Sequence, residues 1–307
     1  MSDHGGATER ARRLASTVAG LVPPEHTLSG YLLRLSRPRF WLYLAGPVVV
    51  GVTYGAIGNG GTAALFAPLA LALFAYFLLP ANVFLYGIND AFDADIDEHN
   101  PKKDEDGREV RFRQHGLVLM VITFCGATGA MFIFVLPSVA AQVLALYYFL
   151  AVQYSAPPLR FKTTPFLDSA SNGLYALPGV IAYTAVAGSA PPLAAVAGAW
   201  LWTMGMHTFS AVPDIEPDRA AGIRTTATFL GEGRTYAYCA LCWLAAAVGF
   251  GAVDVRLGAL LGLYPLLTVG VAVSDISADR AYWWFPIVNT VVGALLTMGG
   301  LWVMLYG

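Results

Sequence analysis

Long apolar runs alternate with short polar connections along almost the entire chain. They show neither the alternation of a half-buried strand nor the single apolar stripe of a soluble helix. Each run approaches the roughly 20 residues that a helix needs to cross the hydrocarbon of a bilayer. Nine spans are expected, at about 39–57, 62–86, 115–136, 138–154, 170–188, 192–212, 235–253, 256–273 and 283–305. Pro137-Ser138 and the stretch from Gly188 to Pro192 mark hairpin turns, because proline ends one helix and starts the next. Residues 1–27 are polar, carry Arg10, Arg12 and Arg13, and lack an apolar stretch with a cleavage site. They read as a flexible cytoplasmic tail ahead of one transmembrane domain over 28–307. The expected fold class is an all-α membrane protein, with nine transmembrane helices around a central cavity.

Composition sharpens this reading. With 57% of the 307 residues hydrophobic and only 12% charged, the chain lacks the charged outer faces that a soluble helical protein carries on every helix. Of 18 lysines and arginines, 17 fall on one side of the nine-span arrangement and only Arg256 on the other. The positive-inside rule then makes the N-terminus cytoplasmic and puts the C-terminus outside. The bilayer is the expected partner, with no nucleic acid. Cys125, Cys239 and Cys242 all lie in apolar runs and read as packed thiols rather than as a disulfide or a metal site.

Two acidic motifs interrupt this apolar pattern. Asn89, Asp93 and Asp97 recur every four residues at the end of the second span and share one helical face, with Asp90 beside Asp97. Carboxylates crowded at membrane depth are costly and repel one another, so they call for protonation, solvent or a bound cation. An all-oxygen set suits Mg²⁺, which binds one or two carboxylates together with waters and the phosphates of a substrate. The second motif, Asp214-Ile215-Glu216-Pro217-Asp218, closes the sixth span, and the two read as halves of one site. Pro213 and Pro217 argue against an uninterrupted helix there, so Asp214 also qualifies as a helix cap. Their recurrence at the ends of spans 2 and 6 suggests two four-helix halves plus a ninth helix. The run 104–109 reads as a solvated loop, and His207 as the partner of an interhelical hydrogen bond.

Together these residues resemble the paired signatures of the UbiA-type intramembrane prenyltransferases. The resemblance rests on Asn89-Asp90-x-x-Asp93-x-x-x-Asp97 and on Asp214-x-x-x-Asp218-x-x-x-Gly222-x-x-Thr225. It extends to Ser36-Arg37-Pro38 before span 1 and to the stretch from Tyr154 to Lys162 after span 4. The chain departs from the family after the first motif, where Asn100-Pro101-Lys102-Lys103 stands in place of a frequent Arg-Pro pair. The block Met206 to Ala227 is similar to that of the carotenoid elongases within the superfamily, which add C5 units to the ends of lycopene.

The resemblance implies transfer of a prenyl group from an allylic diphosphate to a lipophilic acceptor, here a carotenoid, at a site open to the cytoplasm. Asp93, Asp97, Asp214 and Asp218 would be catalytic and, with Asn89, would hold Mg²⁺. Arg37, Lys102, Tyr154, Lys162 and Arg224 would bind the diphosphate. An aromatic, quinone-precursor or chlorin acceptor is the alternative within the enzyme class, with His207 or Asn172 as its polar anchor. An ion-coupled secondary transporter is the alternative outside that class, since it too uses intramembrane carboxylates and broken helices. Acidic motifs at helix ends rather than at the mid-plane, accompanied by cations suited to phosphate, favour the enzyme.

Overall fold

The structure is a computed structural model that describes residues 23–24, 26–97 and 116–307, and for residues 94–97 the backbone alone. Lys102 and the charged run 104–109 lie outside the described residues, as does the side chain of Asp97. Every described element is helical. Helix α1 (Leu28–Leu35) begins at Thr27, whose hydroxyl accepts the Gly30 N–H at 3.1 Å, and a 3-10 turn at Pro38–Phe40 leads into α2 (Trp41–Ala56).

The second apolar run, expected as one helix, is broken into α3 (Gly61–Leu65), α4 (Pro68–Leu78) and α5 (Pro80–Asp97). Proline is the cause, since Pro68 and Pro80 lack the N–H that would continue the ladder and each opens a new helix. The break before Pro80 leaves carbonyls that buried Asn82 satisfies: its side-chain amide donates to Phe77 O and Leu78 O, both at 3.0 Å. Without water to serve those groups, a broken membrane helix needs such an internal donor.

Helix α6 (Gly116–Ala130) and α7 (Ser138–Gln153) follow, and Pro137 precedes α7 as the hairpin expectation requires. The fifth run is divided into α8 (Leu167–Ser171), a 3-10 turn at Asn172–Tyr175 and α9 (Leu177–Ala187). Gly188, at φ 72°, ends α9, and Pro192 precedes α10 (Leu193–Ser210). Short α11 (Ile215–Ala220) and α12 (Thr226–Leu230) precede the long α13 (Glu232–Gly251). The eighth run splits at Gly262 into α14 (Val255–Leu261) and α15 (Leu263–Ala272), and α16 (Ala278–Tyr306) ends the chain.

Among the described residues, four segments are long and apolar enough to cross a membrane: Pro68–Asp93, Gly116–Phe134, Val255–Ala272 and Ala278–Tyr306. Their outward faces expose Phe124, Phe134, Leu266 and Trp302, which suit hydrocarbon rather than water. Arg256, the basic residue that departs from the charge asymmetry, pairs locally with Asp254 at 2.6 Å.

The buried apolar residues form two clusters. One spans Tyr31 to Ala182 and the other Met206 to Val292. The boundary between the clusters falls after α9. The reason is packing: α9 lies along α2 in the first cluster, the most extensive helix pair in the structure. Small residues permit that approach, as is usual where helices meet without a hydrophobic drive between them. A Cβ on Gly51 would sit 2.1 Å from the carbonyl oxygen of Gly179, against rigid backbone. Gly51→Ala is accordingly expected to cost about 1–3 kcal/mol by overpacking. Thermal melting in detergent checks this against Gly46→Ala, whose Cβ would meet nothing within 4 Å.

Candidate active site

Residues of the first acidic motif occupy the last turns of α5, and two polar connections fold back onto them. The first is Ser36-Arg37-Pro38. Ser36 ends α1 by donating to Leu33 O at 2.6 Å, and its oxygen accepts the Trp41 indole N–H at 3.0 Å, tying α1 to α2. Arg37 between them adopts a left-handed backbone, φ 50°, which turns its side chain onto α5. Its guanidinium reaches Asp90 Oδ1 at 3.2 Å and lies 4.7 Å from the centre of the Tyr86 ring.

The second connection, Tyr154 to Lys162, behaves in the same way. Arg160 is also left-handed, φ 40°, and the Lys162 N–H donates to Tyr154 O at 3.1 Å, closing the loop. Lys162 forms an ion pair with Asp93, and Arg160 Nη2 stands 3.6 Å from the same carboxylate. Burial pushes the Lys162 ammonium down to about 8, and the negative charge of Asp90 opposes that shift. Contact with Asp93 acts in the same sense as Asp90, because a neighbouring anion favours the charged form.

Beside this charged end lies a cavity of about 230 Å³. Arg37, Asn89 and Tyr154 line it, with the aromatic rings of Phe40, Tyr43, Tyr86, Tyr175, Trp202 and Tyr282, and with Thr203, Met206, His207 and Ser210 on one face of α10. His207 Nε2 lies 3.4 Å from the Tyr154 hydroxyl, the interhelical contact expected of it. Asn172 also lines the cavity, and its amide donates to Asp168 O at 2.7 Å.

Asp214 and Asp218 are half-buried on the 3-10 turn Val212–Asp214 and on α11. The Asp214 carboxylate makes no cap bond to α11, so capping does not account for it. Gly222, at φ 70°, turns the chain after α11, with the Ile223 N–H donating to Asp218 O at 2.8 Å. Arg224 is exposed and does not line the cavity.

Among the described side chains, no three His, Cys, Asp or Glu residues come together as a metal-binding group. A partial donor set is nonetheless present. Asn89 lines the cavity, its Oδ1 is a buried acceptor with no hydrogen-bond partner, and Asp93 follows one turn later. An amide oxygen and carboxylates are donors that Mg²⁺ accepts while keeping sites for waters and phosphate, so the residues present fit that ion.

One element of the site gave no signal in the sequence. Buried Asp168, on α8, accepts the Thr226 N–H at 2.8 Å and the Thr226 hydroxyl, joining the Lys162 connection to the start of α12. Thr226 in turn accepts the Phe166 N–H at 2.7 Å. The pairing links positions 58 residues apart, beyond the reach of any local pattern; only the adjacent Thr225, part of the second signature, pointed near it.

Residues 44–285 match the UbiA prenyltransferase family. The chain belongs to the UbiA prenyltransferase family. It is therefore an enzyme, a prenyltransferase. It is 62% identical over 290 residues to the lycopene elongase/hydratase of Haloarcula japonica, covering 94% of this chain and 97% of that one. It is 64% identical over 277 residues to the lycopene elongase/hydratase of Haloferax volcanii, covering 90% of each. Its fold is shared with a UbiA homolog from Archaeoglobus fulgidus, solved bound to GPP and Mg²⁺. That match has a TM-score of 0.70 and 21% identity over 89% of this chain and 99% of the other. The same homolog bound to DMAPP and Mg²⁺ gives 0.68, with 22% identity over 90% and 99%.

In this UbiA chain the Asp168–Thr226 clamp ties the second cationic connection, the one that carries Lys162, to the stretch that follows the second acidic motif. Asp168→Ala leaves the Thr226 amide and hydroxyl buried without an acceptor, a loss of about 1–3 kcal/mol. The expected outcome is a lower melting temperature in detergent, with Asp168→Asn intermediate because its amide oxygen still accepts one of the two bonds.

Proposed function

We propose that the enzyme transfers a C5 dimethylallyl group from its diphosphate to the terminal double bond of lycopene. The observation that carries this reading is the cavity beside the charged end of α5, with Arg37 and Asn89 in its lining and aromatic rings around much of the remainder. Relatives above 60% identity named lycopene elongase/hydratase support the acceptor, and a UbiA homolog solved with DMAPP and Mg²⁺ supports the donor.

In this reading Arg37 and Lys162 face the diphosphate and offset its charge as the C–O bond breaks, each contact worth roughly 1.5–3 kcal/mol. Tyr154 adds a phenolic hydrogen bond, and Lys102 and Arg224 are further cations assigned by resemblance. Asn89, Asp93, Asp97, Asp214 and Asp218 hold Mg²⁺, which when bound supplies Lewis-acid neutralisation of the leaving group. The rings of Tyr86, Tyr175 and Tyr282, which line the cavity, keep water from the allylic cation. Asn172 and His207 modulate rate without fixing the acceptor class. The proposed setting is a nine-span domain over 28–307 behind a cytoplasmic tail, in a prokaryotic plasma membrane, with the charged end open to the cytoplasm.

The test is direct. Purified enzyme in lipid, given Mg²⁺ and dimethylallyl diphosphate, is expected to add one or two C5 units to lycopene by mass and to leave 4-hydroxybenzoate unchanged. Chelating Mg²⁺ is expected to stop the reaction. The reverse acceptor preference keeps the family and removes the carotenoid.

A second expectation concerns pH. Lys162 carries its charge below about 8 and loses it as the pH rises through that value. In the free enzyme, kcat/KM for the donor should therefore decline on the alkaline side, since that parameter reports free-enzyme ionisations. Lys162→Arg, whose guanidinium stays charged, should keep kcat/KM flat across the same range. An identical decline in both proteins assigns the limb to another group.

A further inference from the structure

Prenyl transfer to a double bond leaves a proton to be removed, and none of the groups assigned above takes it. This step rests on the proposed acceptor and is written for its terminal trisubstituted double bond. The C–O bond of the donor breaks and its electron pair leaves with the diphosphate. The acceptor's π pair then forms the new C–C bond, which puts a positive charge on the carbon bearing two methyl groups. That charge is discharged in one of two ways. Either a neighbouring C–H pair closes a new double bond, or a water oxygen adds and sheds one of its hydrogens. Both routes release one proton inside the cavity.

We infer that His207 is the base that accepts this proton. The cavity lining offers few alternatives. Among the described residues that line it there is no Asp or Glu, and Arg37 is already a cation. The other polar groups are phenols, hydroxyls, the Trp202 indole and the side-chain amides of Asn89 and Asn172, none of which takes up a further proton near neutral pH. A neutral imidazole has a ring-nitrogen lone pair that does.

Position supports the choice. His207 shares the cavity face of α10 with Thr203, Met206 and Ser210, among the aromatic rings and not among the carboxylates. Its Nε2 is 3.4 Å from the Tyr154 hydroxyl, at the connection that carries Lys162. When Nε2–H donates to that oxygen, the tautomer is fixed and the Nδ1 lone pair is the one that receives the proton. Tyr154 thus orients the base while standing next to the leaving group, so one contact spans the first and last steps.

The experiment measures elongated product formed per diphosphate released, a ratio that does not depend on how much protein is folded. Wild type and His207→Gln, which keeps a hydrogen-bonding amide but no base, are compared in lipid with Mg²⁺, dimethylallyl diphosphate and lycopene. His207→Gly is assayed in parallel with added imidazole or with pyrazole, a ring of the same size and far weaker basicity. The expected result is a ratio lowered about 10²-fold in the Gln variant, the usual scale of a lost proton acceptor. Product formation by the Gly variant should be restored by imidazole but not by pyrazole. An unchanged ratio and product spectrum in the Gln variant, or equal rescue by both rings, overturns the assignment of His207 and leaves the acceptor standing. A wild-type enzyme that does not elongate lycopene overturns the acceptor, and the inference with it.

Discussion

Carboxylates at the end of a membrane helix persist only if positive charge reaches them from elsewhere in the chain, and this requirement organises the structure. Asp90 and Asp93 sit on α5, while their cations come from the connections before α2 and after α7. Both connections place a non-glycine residue in the left-handed region, Arg37 and Arg160, to turn the cation inward. Such a backbone costs on the order of 1–3 kcal/mol and survives where surrounding contacts over-determine it. Here those contacts are the ion pairs, the Ser36–Trp41 hydrogen bond and the closure of Lys162 N–H onto Tyr154 O. The same pairing explains how a site for a strongly charged substrate remains stable without one. On the proposed reading, the diphosphate takes over the cations and a metal takes over the carboxylates, so charge balance is kept through the exchange.

Much of this was legible in the sequence, because the relevant signals are local. Four-residue spacing placed Asn89 and Asp93 on one face of α5, and Asn89 does line the cavity with its buried oxygen unpartnered. Arg37, Tyr154 and Lys162 were marked by short motifs, and each stands where a motif-bearing connection folds onto α5. The helix breaks at Pro68, Pro80 and Gly262 were missed, since hydropathy averages over a window and does not register a single lost N–H. Arg160 as a second partner of Asp93 was missed for another reason. Its role depends on a left-handed backbone that composition favours no more at Arg than at its neighbours. The Asp168–Thr226 clamp and the boundary between the two clusters are tertiary facts, set by which helices pack together.

That packing gives the site its rigidity. The first cluster holds α5, α7 and α9, and with them the cationic connections; the second holds α10 and α13, and with them the second acidic motif. Two clusters that meet along a membrane-embedded seam would slide if van der Waals contact alone joined them. Polar ties act beside that contact: Asp168 bonds both the amide and the hydroxyl of Thr226, Ser169 bonds Thr208 at 2.8 Å and Tyr238 at 3.0 Å, and the Tyr54 hydroxyl donates to Leu296 O at 3.2 Å. Buried polar ties of this kind are specific because every alternative arrangement leaves a donor or acceptor unmatched in a medium without water.

Cavity size then constrains what such a site can select. At about 230 Å³ it is smaller than the roughly 300–1,000 Å³ of pockets that enclose drug-sized ligands. On the proposed reading the acceptor is a polyene too long to fit inside, so its body stays in lipid and only its tip enters. Recognition must therefore act on the tip, through the shape of an aromatic enclosure and not through hydrogen bonds along the chain. Aromatic walls serve both tasks, because a ring that excludes water also stabilises a nearby cation by about 0.5–2 kcal/mol. The choice of Phe40, Tyr43, Tyr86, Tyr175, Trp202 and Tyr282 for the lining thus links acceptor class to the lifetime of the intermediate.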